Sequence, residues 1–92
     1  MAGPDASNDP VIRELREQIA ATDSEVLDAV NKRVALVRQL KEHKAVRGFD
    51  FVDRAQEERL IDRLAAGNLG PLSEEGLREL YRTLLELTKR EA

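Results

Sequence analysis

The chain has 92 residues, of which 41% are apolar and 36% charged, and it contains no cysteine. This composition is typical of one small helical domain, and the lack of cysteine excludes disulfides and thiolate chemistry. The net charge of -3 argues against general nucleic-acid binding, and no apolar run approaches the ~20 residues of a membrane span. We therefore expect a cytoplasmic protein with no nucleic-acid or membrane partner.

The first ten residues, MAGPDASNDP, are small, polar and rich in turn-forming types. They predict a disordered tail over 1–10, followed by a helical domain over 11–92. The first helix is predicted to begin near Pro10, with Asp9 as its cap, and to run to about Val46. Such a helix measures ~50 Å, which is long for a compact domain of this size. We expect a second chain to cover its apolar stripe.

Two shorter helices follow a break at Gly48. The second is predicted to start after Asp53, with Gln56 completing a capping-box pattern, and to end at Gly67-Asn68. Ser73 is a cap for the third helix, whose inner positions are predicted to be Leu77, Leu80, Tyr81, Leu84 and Leu87. The sequence shows no strand pattern, so it predicts an all-α fold with three helices per chain, one of them long.

Two cations interrupt the apolar stripe of the first helix. Arg33 and Lys44 are close to three turns apart, so their side chains point to the same side with backbones ~16 Å apart. A single cation there often reaches solvent or pairs across a dimer seam. Two such cations favour an anionic partner, because burying unpaired charge is costly. Arg16 lies ~25 Å before Arg33 and on another side of the helix, so it cannot easily serve the same pocket of the same chain.

Polar residues on the inner faces of the other helices extend this pattern. The spacing of Glu57 and Thr88 from neighbouring leucines turns both inward, and with the two cations they describe a polar pocket inside a bundle. Lys89 and Arg90 suit the negative end of a helix dipole. His43 has no second His or Cys beside it, which argues against a metal site. With no nucleophilic triad and no glycine-rich phosphate loop, any chemistry must proceed without nucleophile, metal or organic cofactor.

In these residues the chain resembles the all-helical (AroQ-class) chorismate mutases. The resemblance covers nearly the whole chain after the tail and depends on an ordered set rather than on one motif. It implies an intertwined helical dimer with two equivalent sites, and the Claisen-type rearrangement of chorismate to prephenate in aromatic amino-acid biosynthesis. The set is Leu15-Arg16-Glu17-x-Ile19 with Asp23, Arg33, Lys44, Val52-Asp53 leading to Glu57, and Leu84-Leu85-Glu86-x-Thr88.

The resemblance also implies a role for each matching residue. Arg16 would enter the partner's site and bind a substrate carboxylate, and Arg33 would bind a carboxylate in its own chain's site. Lys44 would donate to the ether oxygen that gains charge as its bond breaks. Asp53 and Glu57 would address the ring hydroxyl, through main chain and side chain respectively. Arg33, Lys44 and Glu57 are the predicted catalytic residues.

The sequence departs from the family pattern at two positions. Family members commonly have arginine where Gln56 stands, and glutamine or glutamate where Ala92 stands. Thr88 stands where many members carry serine, and the resemblance places it near the ring carboxylate as a substrate-binding residue. These departures suggest reduced activity of the isolated chain, and some compact relatives gain activity on 3-deoxy-D-arabino-heptulosonate 7-phosphate synthase, which is therefore an expected partner.

Two other functions fit the same residues. An isochorismate-pyruvate lyase has a similar fold and pocket, and the sequence alone separates it poorly from a mutase. A non-catalytic helical dimerisation or regulatory module is the third reading. The products formed from each substrate, and the effect of replacing Arg33, distinguish these alternatives.

Overall fold

The computed structural model describes residues 6–92. It contains a short 3-10 helix, Ala6–Asn8, and three α-helices, α1 (Pro10–Arg47), α2 (Arg54–Gly67) and α3 (Glu74–Glu91). No strand occurs among the described residues, and the all-α prediction is confirmed. None of the helices in this part of the chain is long and apolar enough to cross a membrane.

The predicted tail, 1–10, falls only partly within the described residues, because 1–5 lie outside them. Its remainder holds the 3-10 helix and the start of α1. Asp9 caps α1 as expected, since its Oδ1 accepts the Val11 N–H at 2.8 Å. The division into a disordered tail and a domain stays a prediction.

The described chain divides into two units, one ending at Lys32 and one running from Arg33 to Ala92. The first unit holds the 3-10 helix and the first part of α1, and none of its described residues is buried. Five of its large apolar side chains are more than half exposed, whereas Ile12 and Val30 are partly covered, so most of the apolar stripe predicted for this part of the helix is uncovered. The five exposed side chains are Val11, Leu15, Ile19, Val26 and Leu27.

The second unit is built on a hairpin of α2 and α3. Asp62 of α2 pairs with Arg78 of α3 at 3.0 Å, and Glu57 pairs with Lys89 at 2.7 Å. Because the earlier residue of α2 meets the later residue of α3, the two helices run antiparallel. Their contact buries Ile61, which is 1% exposed, together with Leu77, Leu85 and Thr88.

The end of α1 lies beside α3 in the same direction. Arg33 of α1 donates to the Thr88 hydroxyl, and one turn later Arg38 donates to the Glu91 carbonyl at 3.2 Å. The later residue of α1 meets the later residue of α3, so the two helices run parallel in this unit. The last turns of α3 are thereby joined to α1 through the side chains of Arg33 and Arg38.

Helix ends follow the sequence signals closely. α1 stops before Gly48, whose φ of 75° is a left-handed conformation that favours glycine. Asp53 caps α2 by accepting the Gln56 N–H at 3.1 Å. The Gln56 side chain accepts from Arg59 and does not return to the cap, so only half of the predicted capping box forms.

The buried face of α3 differs from the predicted one. Leu77 is buried as expected, but Leu80 is 51% exposed, and Leu85 is buried although the sequence analysis did not include it. The reason is that leucines surround much of this helix, so periodicity leaves the choice of inner face open. Packing against α2 and α1 turns the arc of Leu85 and Thr88 inward.

Candidate active site

A cavity of about 230 Å³ lies within the second unit. The end of α1, the loop before α2, and both shorter helices contribute to its wall. Its apolar wall is formed by Val37, Leu40, Phe51, Leu60 and Leu85. Its polar groups are those of Arg33, Lys44, Asp53, Gln56, Glu57 and Lys89.

Arg33 is aimed by a buried threonine on α3. Its Nη1 donates to Oγ1 of Thr88, which is fully buried. The Thr88 hydroxyl has its own donor committed to the Leu84 carbonyl at 2.9 Å, so a lone pair is left for the guanidinium. Thr88 thus acts on Arg33 and is not itself among the cavity-lining residues.

Lys44 is held by the loop that follows its own helix. After α1 ends at Arg47, the chain turns back and presents the Phe51 carbonyl, which accepts from the part-buried Lys44 Nζ at 3.1 Å. An ammonium group has three donors, so others remain for a ligand. Both α1 cations predicted from the stripe therefore reach one cavity.

Asp53 and Gln56 line the cavity but have local partners. The Asp53 carboxylate caps α2, and the Gln56 side-chain oxygen accepts from Arg59 Nη2 at 3.0 Å and Nε at 3.3 Å. A capping carboxylate also stabilises the positive end of the α2 dipole. Gln56 brings no cation to the position where arginine is common, although its Arg59 partner lies one turn further along.

Glu57 meets a residue that the sequence analysis assigned only to a helix end. Lys89 Nζ donates to Glu57 Oε1 at 2.7 Å and to Glu86 Oε1 at 2.9 Å. These hydrogen bonds, first that to Glu57 and then that to Glu86, raise the pKa of Lys89, so its ammonium is charged at neutral pH. The available signal was its spacing of four from Leu85, which places both on one face of α3.

Two predicted site residues, Arg16 and Thr88, are not among the residues that line this cavity. Arg16 lies in the first unit, where it is exposed, and its assignment to a partner's site stays a prediction. Ala92 offers only a methyl side chain, and its backbone N–H is used on the Thr88 carbonyl at 3.0 Å. Among the described residues, no group of three or more His, Cys, Asp or Glu side chains could hold a metal ion.

The site combines apolar walls with cations aimed by neutral oxygens. Such a cavity suits a small ring compound that carries carboxylates, because the apolar walls can contact the ring while the cations retain charge-assisted donors. Glu57 adds an acceptor on the α2 side. These groups can bind a charged ligand and stabilise charge on it, and neither task requires a nucleophile.

Comparison with known proteins agrees with this geometry. The sequence pattern of the family "Chorismate mutase type II" matches residues 15–92. A solved structure, chorismate mutase (form I) from Thermus thermophilus, is similar with a TM-score of 0.82 and 26% sequence identity, covering 84% of this chain and 96% of that one. No curated protein matches the chain.

Proposed function

The chain belongs to the chorismate mutase type II family, and from that membership we propose that the cavity of its second unit is where chorismate is rearranged to prephenate. Members of this family are isomerases, and the chain is an enzyme of that class. The residues that carry the reaction, and their individual roles, are our proposal.

One observation carries the assignment of the site. Within residues 6–92, the structure pairs Arg33 and Lys44 with neutral oxygens and with no carboxylate. By contrast, Arg78 and Lys89 are matched with acidic side chains. Partly buried cations without an anion are costly. A dianionic ligand such as chorismate supplies the missing charge.

The reaction is unimolecular, so the protein needs to select a compact conformer and stabilise developing charge. Arg33 binds one carboxylate and fixes the side chain that carries it over the ring. Lys44 donates to the ether oxygen, which becomes more negative as its bond to the ring breaks. Glu57 accepts from the ring hydroxyl, and the loop main chain at Asp53 contributes there. The apolar wall then excludes water from the breaking bond.

These groups can account for a rate acceleration of the size typical of enzymes. A million-fold acceleration requires ~8 kcal/mol of differential stabilisation. Hydrogen bonds to charged groups contribute ~1.5–3 kcal/mol each, and only the part that strengthens in the transition state counts. Arg33, Lys44 and a cation from a second chain can together supply much of this.

A second copy of the chain is proposed to complete the site. The first unit exposes its apolar stripe over several turns, and its described residues include none that are buried. A stripe of that length on a helix is stable in water when another helix covers it. In an intertwined dimer, Arg16 of one chain binds a substrate carboxylate in the other chain's cavity.

A complex with 3-deoxy-D-arabino-heptulosonate 7-phosphate synthase is proposed as well. Its support is the pair of departures at Gln56 and Ala92, positions where family members commonly have arginine and a polar side chain. Docking on the synthase would compensate by ordering the groups that remain. We expect saturating synthase to raise kcat/KM for chorismate, and an unchanged rate would contradict the proposal.

The function is tested by following the loss of chorismate absorbance with purified protein and identifying the product. Prephenate supports the assignment. Conversion of isochorismate to salicylate and pyruvate, without prephenate formation from chorismate, would show the lyase instead.

Arg33→Ala tests the site. Loss of a charge-assisted carboxylate contact should lower kcat/KM by on the order of a hundredfold or more, with helicity by circular dichroism retained. Arg63→Ala, which removes an exposed α2 cation outside the cavity, should change neither. A rate for Arg33→Ala equal to that of Arg63→Ala would contradict a role for this cavity and favour a non-catalytic module.

A further inference from the structure

Lys89 stands apart from the other cations of the cavity. It lines the cavity from α3, and its side chain is only 17% exposed. Its Nζ lies between two carboxylates, Glu57 at 2.7 Å on α2 and Glu86 at 2.9 Å on α3. A lysine at a helix end that served only the dipole would extend into water. Here the ammonium points toward α2.

The Glu57 carboxylate is engaged on one side only. Lys89 binds its Oε1, and no described residue donates to Oε2. The Glu57 side chain is 21% exposed, so the pair is partly removed from water, where an ion pair with short geometry is stronger than on a surface. The second oxygen is left to accept from a ligand.

The ion pair between Glu57 and Lys89 also affects the other charged groups of the cavity. Arg33 and Lys44 share the cavity with Glu57, and a flexible carboxylate would be attracted to either of them. Binding to Lys89 satisfies Glu57 internally. Arg33 and Lys44 then remain for one carboxylate and the ether oxygen of the substrate, and Glu57 does not compete for them.

We propose that Lys89 is a positioning residue of the mutase reaction, which holds Glu57 so that its free oxygen accepts the ring hydroxyl and keeps Glu57 away from Arg33 and Lys44. The proposal rests on the proposed function of the cavity. Glu86, which is largely exposed, binds the same Lys89 ammonium and restrains it further. The gain is preorganisation, because an acceptor already in place needs no rearrangement when substrate binds.

The test is a double-mutant cycle on kcat/KM with the variants Lys89→Met, Glu57→Gln and their combination. Lys89→Met should lower kcat/KM roughly tenfold, the size of one lost charge-assisted hydrogen bond. Because Lys89 acts through Glu57, the combined variant should be no slower than Glu57→Gln alone. Arg90→Met, which removes the neighbouring exposed cation, is the charge-matched control and should keep the full rate.

A second readout separates positioning from a merely structural role. With a chorismate analogue that lacks the ring hydroxyl, Lys89→Met should lose less of its rate than it loses with chorismate, because Glu57 then has no hydroxyl to accept from and only its attraction to Arg33 and Lys44 remains. Lys89→Arg keeps the ion pair and should recover most of the rate with chorismate. Where Lys89→Met does not fold by circular dichroism, Lys89→Gln replaces it in the cycle.

The outcomes are distinct. Losses that multiply in the combined variant, or an equal loss on the analogue without the hydroxyl, would overturn the positioning role while leaving the mutase function intact. An unaltered protein that produces no prephenate would overturn the proposed function, and the role of Lys89 with it.

Discussion

At the residue scale, the partly buried cations fall into two groups according to whether their partners are neutral oxygens or carboxylates. Arg33 and Lys44 bind a hydroxyl and a carbonyl, whereas Arg78 binds the Asp62 carboxylate on the outside of the hairpin. The hydrogen bond to Asp62 raises the pKa of Arg78, which is what a satisfied ion pair does. Neutral partners orient a cation without neutralising it, so its charge is kept for a ligand.

Thr88 offers a direct test of this orientation. Thr88→Val keeps the volume of the fully buried side chain but removes the oxygen that accepts from Arg33. We expect kcat/KM to fall roughly tenfold, the scale of one hydrogen bond to a charged group. Thr88→Ser keeps the hydroxyl and should remain near the original rate. Equal rates for the two variants would show that Arg33 does not depend on this anchor.

At the element scale, the α2–α3 hairpin forms one side of the cavity wall. Its antiparallel arrangement brings Glu57 opposite Lys89 and Asp62 opposite Arg78. Local signals set where each helix begins, as the caps Asp53 and Ser73 show. The buried side chains between the helices then set how they face each other.

Ile61 is the residue on which that contact depends most. It is 1% exposed, so Ile61→Ala removes buried methyl groups and leaves a cavity, at a cost of about 2–5 kcal/mol in the free energy of unfolding. Urea unfolding monitored by circular dichroism measures this. Leu69→Ala is the matched control, because Leu69 is 101% exposed and its truncation should leave the midpoint unchanged. Similar midpoints for both variants would contradict this packing.

At the scale of the whole molecule, the exposed stripe of the first unit is the observation on which the proposed dimer rests. Side chains such as Leu15 and Ile19 are more than half exposed, and a helix in water gains from covering them. The proposed dimer would also bring Arg16 to a cavity.

Mixed dimers test that arrangement. In the proposed dimer, Arg16→Ala and Arg33→Ala would each disable both sites, but a mixed dimer would place both changes in one site and leave the other intact. Mixing equal amounts of the two variants after unfolding and refolding should therefore restore activity, up to about a quarter of the original rate if chains combine at random. Mixtures that stay as inactive as the separate variants would contradict the placement of Arg16 in the partner's site.

Much of this protein was determined by its sequence alone. The all-α fold, the stop at Gly48 and the caps at Asp9, Asp53 and Ser73 follow from interactions within a few residues. Such interactions are the same in any fold, so a sequence pattern predicts them well. The interruption of an apolar stripe by Arg33 and Lys44 was likewise visible, because it concerns one helix.

Only the tertiary structure decided which face of α3 turns inward, and with it the partners of the cavity residues. Leucine occurs around much of that helix, so Leu85 could replace Leu80 in the core without any local signal. Thr88 reaching Arg33 and Lys89 reaching Glu57 join residues 55 and 32 positions apart. The physical reason is that such pairings depend on how three helices pack together, which no single segment of the chain encodes.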